Sequence, residues 1–218
     1  MNPVIVTLAF PAAGIGVGLL LAWISVRLPA GPDDRPRLRW PRVLAFSLAA
    51  AALGGWAAAS QDLLSAALLT AVLGWMLLII AVVDAEHFWL PDELTLPLGA
   101  AGLGAALLPG GTGLVPAAIG AVAGFVGLWL LARLYRRARG REGLGGGDPF
   151  LLAAGGTWVG WIGLPSVLLW AAASGLSLVL ARLALRKSVS GQDRLPFGVF
   201  LAIGVWMTWM FGPLGLQR

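Results

Sequence analysis

Residues 143 to 165 read GLGGGDPFLLAAGGTWVGWIGLP. Three glycines run into Asp148, Pro149 follows, and no charged residue occurs from Phe150 to Pro165. An Asp-Pro pair ahead of an apolar run is the pattern of a helix start, with the aspartate as N-cap and the proline in the first turn. The segment has about 16 residues before Pro165 and covers roughly 24 Å, against a hydrocarbon core near 30 Å. In a bilayer, its Asp148 end therefore falls below the membrane surface. A carboxylate at that depth is costly unless it is neutralised or faces water, which makes function its default explanation. Locally, cap and catalytic carboxylate both remain open. Capping alone does not call for three preceding glycines, which allow unusual dihedrals and close approach by another backbone.

The rest of the chain puts that helix in a membrane. Its 218 residues are 59% hydrophobic and 11% charged, with a mean hydropathy of +0.87, whereas about a quarter of an ordinary soluble domain is charged. Eleven tryptophans suit interfacial belts. With no cysteine, disulfides and thiolate metal sites are excluded, and structural zinc is not expected. The net charge of +5 would suit nucleic acid, but the arginines lie in short clusters between apolar runs, where the positive-inside rule accounts for them without such a partner. The first apolar run reaches Ile24 without a basic n-region or a small-residue cleavage site, so a retained helix is expected.

Pro, Gly and charge divide the chain into eight apolar segments, near 3–26, 43–59, 63–83, 94–108, 114–132, 149–164, 166–185 and 195–211. The expected fold is an all-α polytopic bundle of about eight transmembrane helices, forming a single membrane domain over 1–218. With eight spans, every one of the fifteen basic residues except Arg218 falls on one face, from the Arg27–Arg42 and Arg133–Arg141 clusters to Arg182, Arg186, Lys187 and Arg194. That face is then cytoplasmic, and both termini are periplasmic.

Nine of the ten acidic residues share the predicted cytoplasmic face. Asp33, Asp34 and Asp193 sit among arginines as solvated loop charge, and Asp62 resembles a helix start. Asp84 and Asp148 each abut an apolar segment directly. A carboxylate ending a helix opposes its dipole, so Asp84 is poorly explained as stabilisation. Should the two converge, they can share a proton in the manner of an aspartyl protease, one activating water and the other donating to the scissile carbonyl oxygen. Glu86, Asp92 and Glu93 make the loop after Asp84 acidic, which suits a basic substrate segment; Asp92 and Glu93 equally suit the start of the next helix. His87 stands alone and is expected to be structural, since metal ligands come in clusters.

These residues give the chain a resemblance to the type IV prepilin peptidases of pilus and type II secretion systems. "DAEHFWLPDELTLP", Asp84 to Pro97, resembles the family's Asp followed by Leu-Pro-Asp and Leu-Thr-Leu-Pro. The run from Gly143 to Trp161 resembles its Gly-x-Gly-Asp motif and the helix that follows; "LPFGVFLAIGVW", Leu195 to Trp206, and "SVRLP", Ser25 to Pro29, add support. The resemblance implies that Asp84 and Asp148 are the catalytic pair, that Gly145, Gly146 and Gly147 admit a substrate backbone, and that Glu86, Asp92 and Glu93 meet a basic leader. It also implies a prepilin or pseudopilin substrate, cut at the cytoplasmic side of the inner membrane, with pilus or secretion components as further partners. Many members carry a cysteine-bearing, zinc-binding domain after the first span and an N-methyltransferase activity. Here that region is only "RLPAGPDDRPRLRWPR", so neither zinc nor S-adenosylmethionine is expected as a cofactor. Pro149 and Phe150 depart from the family pattern of a small apolar residue and lysine. An inactive scaffold in a secretion complex and a small proton-coupled transporter are the alternatives; the second needs a mid-membrane acid, and none of the ten occupies such a place.

Overall fold

Long uncharged runs leave an open chain in a bilayer one way to satisfy its backbone, the α-helix, and the chain follows it. The computed structural model describes residues 3–29, 37–108, 111–140, 145–185 and 195–214. Among these, all regular structure is helical: α1 (Pro3–Arg27), α2 (Trp40–Ser60), α3 (Leu64–His87), α4 (Asp92–Ala106), α5 (Leu114–Arg139), α6 (Asp148–Ala184) and α7 (Phe197–Phe211). Five of them, α1, α2, α3, α5 and α6, are long and apolar enough to cross a membrane, and the protein is a multi-pass membrane protein. The chain divides into two compact units, Met1–Val83 and Asp84–Arg218. The boundary falls within α3, so Asp84 opens the second unit.

In the first unit α1 and α2 meet backbone to backbone. A Cβ at Gly14 would lie 2.7 Å from Ala51 Cα, one at Gly54 would lie 2.7 Å from the Phe10 carbonyl oxygen, and Gly18 lies against Ser47 in the same way. Polar links close the contact: Arg42 Nε donates to Ser25 Oγ at 2.8 Å and Ser47 Oγ to the Ile15 carbonyl at 3.2 Å. Trp75 of α3 donates Nε1 to the Ala50 carbonyl at 2.8 Å. Phe10, Ala57, Ala67 and Ala71 form a buried apolar cluster beneath it.

The second unit is built on α6. Gly120 and Gly124 of α5 lie against Gly156 and Leu152, where a Cβ at Gly124 would stand 2.7 Å from the Leu152 carbonyl oxygen. From α4, the Leu98 carbonyl accepts the Trp158 indole N–H at 2.9 Å, and Gly102 leaves room for the same indole. Trp158 is itself 1% exposed and meets Trp209 edge-on at 5.5 Å.

The expected sixth and seventh segments are two helical arms joined at a kink, labelled together as α6. Gly160 has φ 68° and ψ 174°, a conformation open to glycine and strained for other residues. Against α7, Gly155 meets Val205 and Trp158 meets Trp209, in ascending order, whereas Gly163, Val167 and Gly175 meet Thr208, Gly204 and Phe200 in descending order. The two arms of α6 therefore run in opposite directions along α7. Pro165, where the sequence suggests the break, lies inside the second arm. Lacking an N–H for the preceding turn and crowding its carbonyl, it disfavours continuous helix there, and the reversal is taken up one turn earlier by the residue that tolerates it.

Gly124→Val should lower the melting temperature in detergent by several degrees, corresponding to about 1–3 kcal/mol of overpacking. Gly127→Ala, on the same helix with open space at its Cβ position, should leave it unchanged or raise it slightly, by up to about 1 kcal/mol. Equal effects at the two positions would contradict the backbone contact.

Candidate functional site

Asp84 lies in the last turn of α3, where its charge opposes that helix's own dipole. Its partner is another helix. The Val199 backbone N–H donates to Asp84 Oδ2 at 3.1 Å, and the Gly198 N–H also bonds the carboxyl. These are first-turn donors of α7, whose own N-cap residue, Pro196, makes no side-chain cap. Asp84 thus caps the start of α7, sharing the Val199 N–H with the Pro196 carbonyl, which accepts it at 3.3 Å. The approach requires glycine, since a Cβ at position 198 would lie 2.8 Å from Oδ2 and 2.9 Å from Cγ of Asp84.

Asp148 is the first helical residue of α6, one place beyond the N-cap, Gly147. Its carboxyl does not cap α6. It bends back so that the Gly145 N–H donates to Oδ2 at 2.7 Å, while its own N–H donates to the Gly145 carbonyl at 3.3 Å. The glycine turn is folded around the carboxyl, and the simple cap expected from the Asp-Pro pair is replaced by this reciprocal pairing. Asp84 and Asp148 are 5% and 2% exposed, although isolated carboxylates are rarely buried without a task.

One side chain ties the two together. A Cβ at Gly147, beside Asp148, would stand 2.6 Å from Leu90 Cβ; a Cβ at Gly198, beside Asp84, would stand 3.0 Å from Leu90 Cδ1. The carboxyls are near enough to interact electrostatically. Leu90 reaches this place because Phe88, with φ 52°, turns the chain at the end of α3 and buried Pro91 then opens α4.

Of the residues singled out in the sequence, Asp84, Asp148, Gly145 and Gly147 come together. Gly146 is exposed with open space about it. Glu86 is exposed and stands 3.8 Å from His87. Asp92 and Glu93 are exposed in the first turn of α4, where they complement its dipole. Asp62 is exposed just ahead of α3. Asp33, Asp34, Glu142 and Asp193 lie outside the described residues, as do Arg35, Arg141, Arg186, Lys187, Arg194 and Arg218. Phe150 has a packing role, meeting Phe125 of α5 edge-on at 5.0 Å. Among the described residues no group of three His, Cys, Asp or Glu could hold a metal ion. Leu90, Gly198 and Val199 belong to the site but were not named from the sequence; the glycine beside Pro-Phe at the start of the last apolar segment was the available signal.

Residues 71–180 match the model of a family described as the type IV leader peptidase family. The chain is 37% identical over 195 residues to a prepilin leader peptidase/N-methyltransferase of Aeromonas hydrophila, covering 88% of this chain and 66% of the relative. It is 41% identical over 174 residues to one from Burkholderia pseudomallei, covering 80% and 55%, and 46% identical over 128 residues to one from Pectobacterium carotovorum, covering 59% and 46%. The chain thus spans about half to two thirds of the length of these relatives. No solved structure gives a significant match.

Asp84→Ala should leave the Val199 N–H to the longer bond with the Pro196 carbonyl and raise hydrogen exchange in the first turn of α7 about fivefold, equivalent to about 1 kcal/mol for a lost cap. Exchange at the far end of α7 should not change. Unaltered exchange at Val199 would remove Asp84 as the cap.

Proposed function

Because the chain belongs to the type IV leader peptidase family, we propose that it is an intramembrane aspartyl endopeptidase of the Gly-x-Gly-Asp type with Asp84 and Asp148 as its catalytic pair. Its substrate is a prepilin or pseudopilin, from which it removes a short basic leader at the cytoplasmic face of the inner membrane. The observation that carries this reading is that two buried carboxyls, each held through one oxygen by backbone N–H, lie beside glycines that pack against the same side chain, Leu90. Holding Oδ2 of each aspartate in this way leaves Oδ1 for water and substrate.

With one proton between the two carboxyls, the ionised member takes a proton from water as the water oxygen bonds to the scissile carbonyl carbon. The protonated member donates to the carbonyl oxygen. Collapse of the tetrahedral intermediate re-forms the carbonyl and breaks the C–N bond: one hydroxyl returns its proton to the carboxyl that had donated, the proton taken from water passes to the leaving amine, and the pair again holds one proton. Gly145 and Gly146, exposed beside Asp148, offer a surface along which an extended backbone can lie. The proposal covers peptide hydrolysis and not methyl transfer, since the Arg27–Arg42 connection has no cysteine and no room for a further domain. It takes residues 1–218 as one functional domain of about eight spans with periplasmic termini.

Coexpression with a pseudopilin bearing a basic leader tests the reading by gel shift. Wild type should cleave, and Asp84→Asn and Asp148→Asn should each lower the rate about 10^3-fold or more while remaining inserted and folded. Cleavage that survives either substitution rejects the pair; an intact substrate with folded wild type favours the scaffold.

The exposed acids give a second expectation. Reversing Glu86, Asp92 and Glu93 to lysine should slow processing of a basic leader about tenfold and spare a neutral one, as expected for attraction between solvent-exposed charges. Equal effects on both leaders would reject an electrostatic role for this loop.

A further inference from the structure

Leu90 is buried at 7% exposure between Trp89 and the start of α4, although Phe88 and Trp89 before it are 50% and 45% exposed. Its side chain reaches both glycines that border the carboxyls: Cβ positions at Gly147 and Gly198 would fall 2.6 Å from its Cβ and 3.0 Å from its Cδ1. The segment that carries it is fixed at both ends. The Phe88 N–H donates to the Asp84 carbonyl at 2.9 Å, and the Pro91 carbonyl accepts from the Leu94 and Thr95 N–H groups at 3.1 and 3.2 Å. Leu90 cannot shift along the chain without undoing one of these anchors.

We infer that Leu90 is a positioning residue of the aspartyl pair, a spacer of fixed volume between the Gly147–Asp148 turn and the Gly198–Asp84 contact that sets the distance between the two carboxyls. The inference rests on the peptidase reading given above. Two carboxyls that share a proton couple more strongly the closer they lie, so a spacer governs both the geometry offered to water and the interval between their two titration steps. Glycine at 147 and 198 then has a joint purpose, since a methyl group at either place would compete with Leu90 for the same gap.

The test compares wild type, Leu90→Ala, Leu90→Val and Leu90→Met in the full-length chain, with Asp84→Asn as a control, on one pseudopilin substrate with a basic leader. kcat, KM, the pH profile of kcat and the melting temperature are read for each. Leu90→Ala should lower kcat about tenfold or more with KM within about twofold, and should change the interval between the acid and alkaline limbs of the profile by about half a pH unit or more. Leu90→Met, close in volume, should restore both toward wild type. Leu90→Val carries the comparison if the alanine variant does not fold. A pH profile that superimposes on wild type, with activity falling only as the folded fraction falls, overturns the inference and leaves Leu90 an ordinary core residue. Cleavage by Asp84→Asn would instead overturn the catalytic pair, and the spacer with it. An inactive Asp84→Asn beside a Leu90→Ala profile identical to wild type would sink the spacer alone.

Discussion

Helix backbones in this protein touch one another, and the rest of the second unit depends on that contact. Lipid tails are as apolar as leucine, so hydrophobicity gives transmembrane helices little reason to associate; close packing at small residues does. Gly120 and Gly156 each occupy the space where the other's Cβ would stand, and Gly124 repeats the contact against Leu152 one turn away. This fixes the rotation and depth of the first arm of α6 against α5. Asp148 begins that arm, so its position follows from the contacts of Leu152 and Gly156, about one and two turns along it.

A second constraint is the pairing of backbone N–H groups, in the first turn of α7 for Asp84 and in the glycine turn before α6 for Asp148. Asp84 reaches across to α7 for them and Asp148 turns back to Gly145. In each case a glycine supplies the room. This explains in physical terms why an acid at the end of α3, a Gly-Gly-Gly turn and a Pro-Phe-Gly segment belong together in one chain. Each stretch supplies a carboxyl, a backbone donor or a space that another requires, and none is intelligible by itself.

The sequence was legible where chemistry is local. Hydropathy located the apolar segments, including the Ala- and Gly-rich second one, which appears as α2, Trp40–Ser60, but ended the fifth at 132, where α5 continues through the arginine cluster to Arg139. The two membrane-abutting carboxyls stood out because so few charges surround them. What escaped was relational. Pro165 is the stronger local signal for a break, yet the chain reverses at Gly160, because the reversal needs a positive φ that proline cannot adopt. Leu90 is one leucine among many in the sequence, and its significance comes only from the two glycines it meets. The four-residue spacing of Gly120 with Gly124, and of Gly156 with Gly160, was present to be read; which helix each pair would face was not.

Three helices begin at the site, and two of them are short. α4 and α7 have 15 residues each, or roughly 22 Å, and the first arm of α6, 148–159, is roughly 18 Å. All three start beside the same group of residues: α4 just after Leu90, α6 at Asp148, and α7 at the Gly198 and Val199 donors to Asp84. A helix of ~22 Å that reaches one interface leaves its other end about 8 Å inside a core near 30 Å thick. Three helix N-termini brought beside the carboxyls also bring three positive dipole ends, whose partial charges favour buried carboxylates. Helix starts and buried acids therefore belong together: the two carboxyls are buried where three helices begin, and the positive ends of those helices favour them.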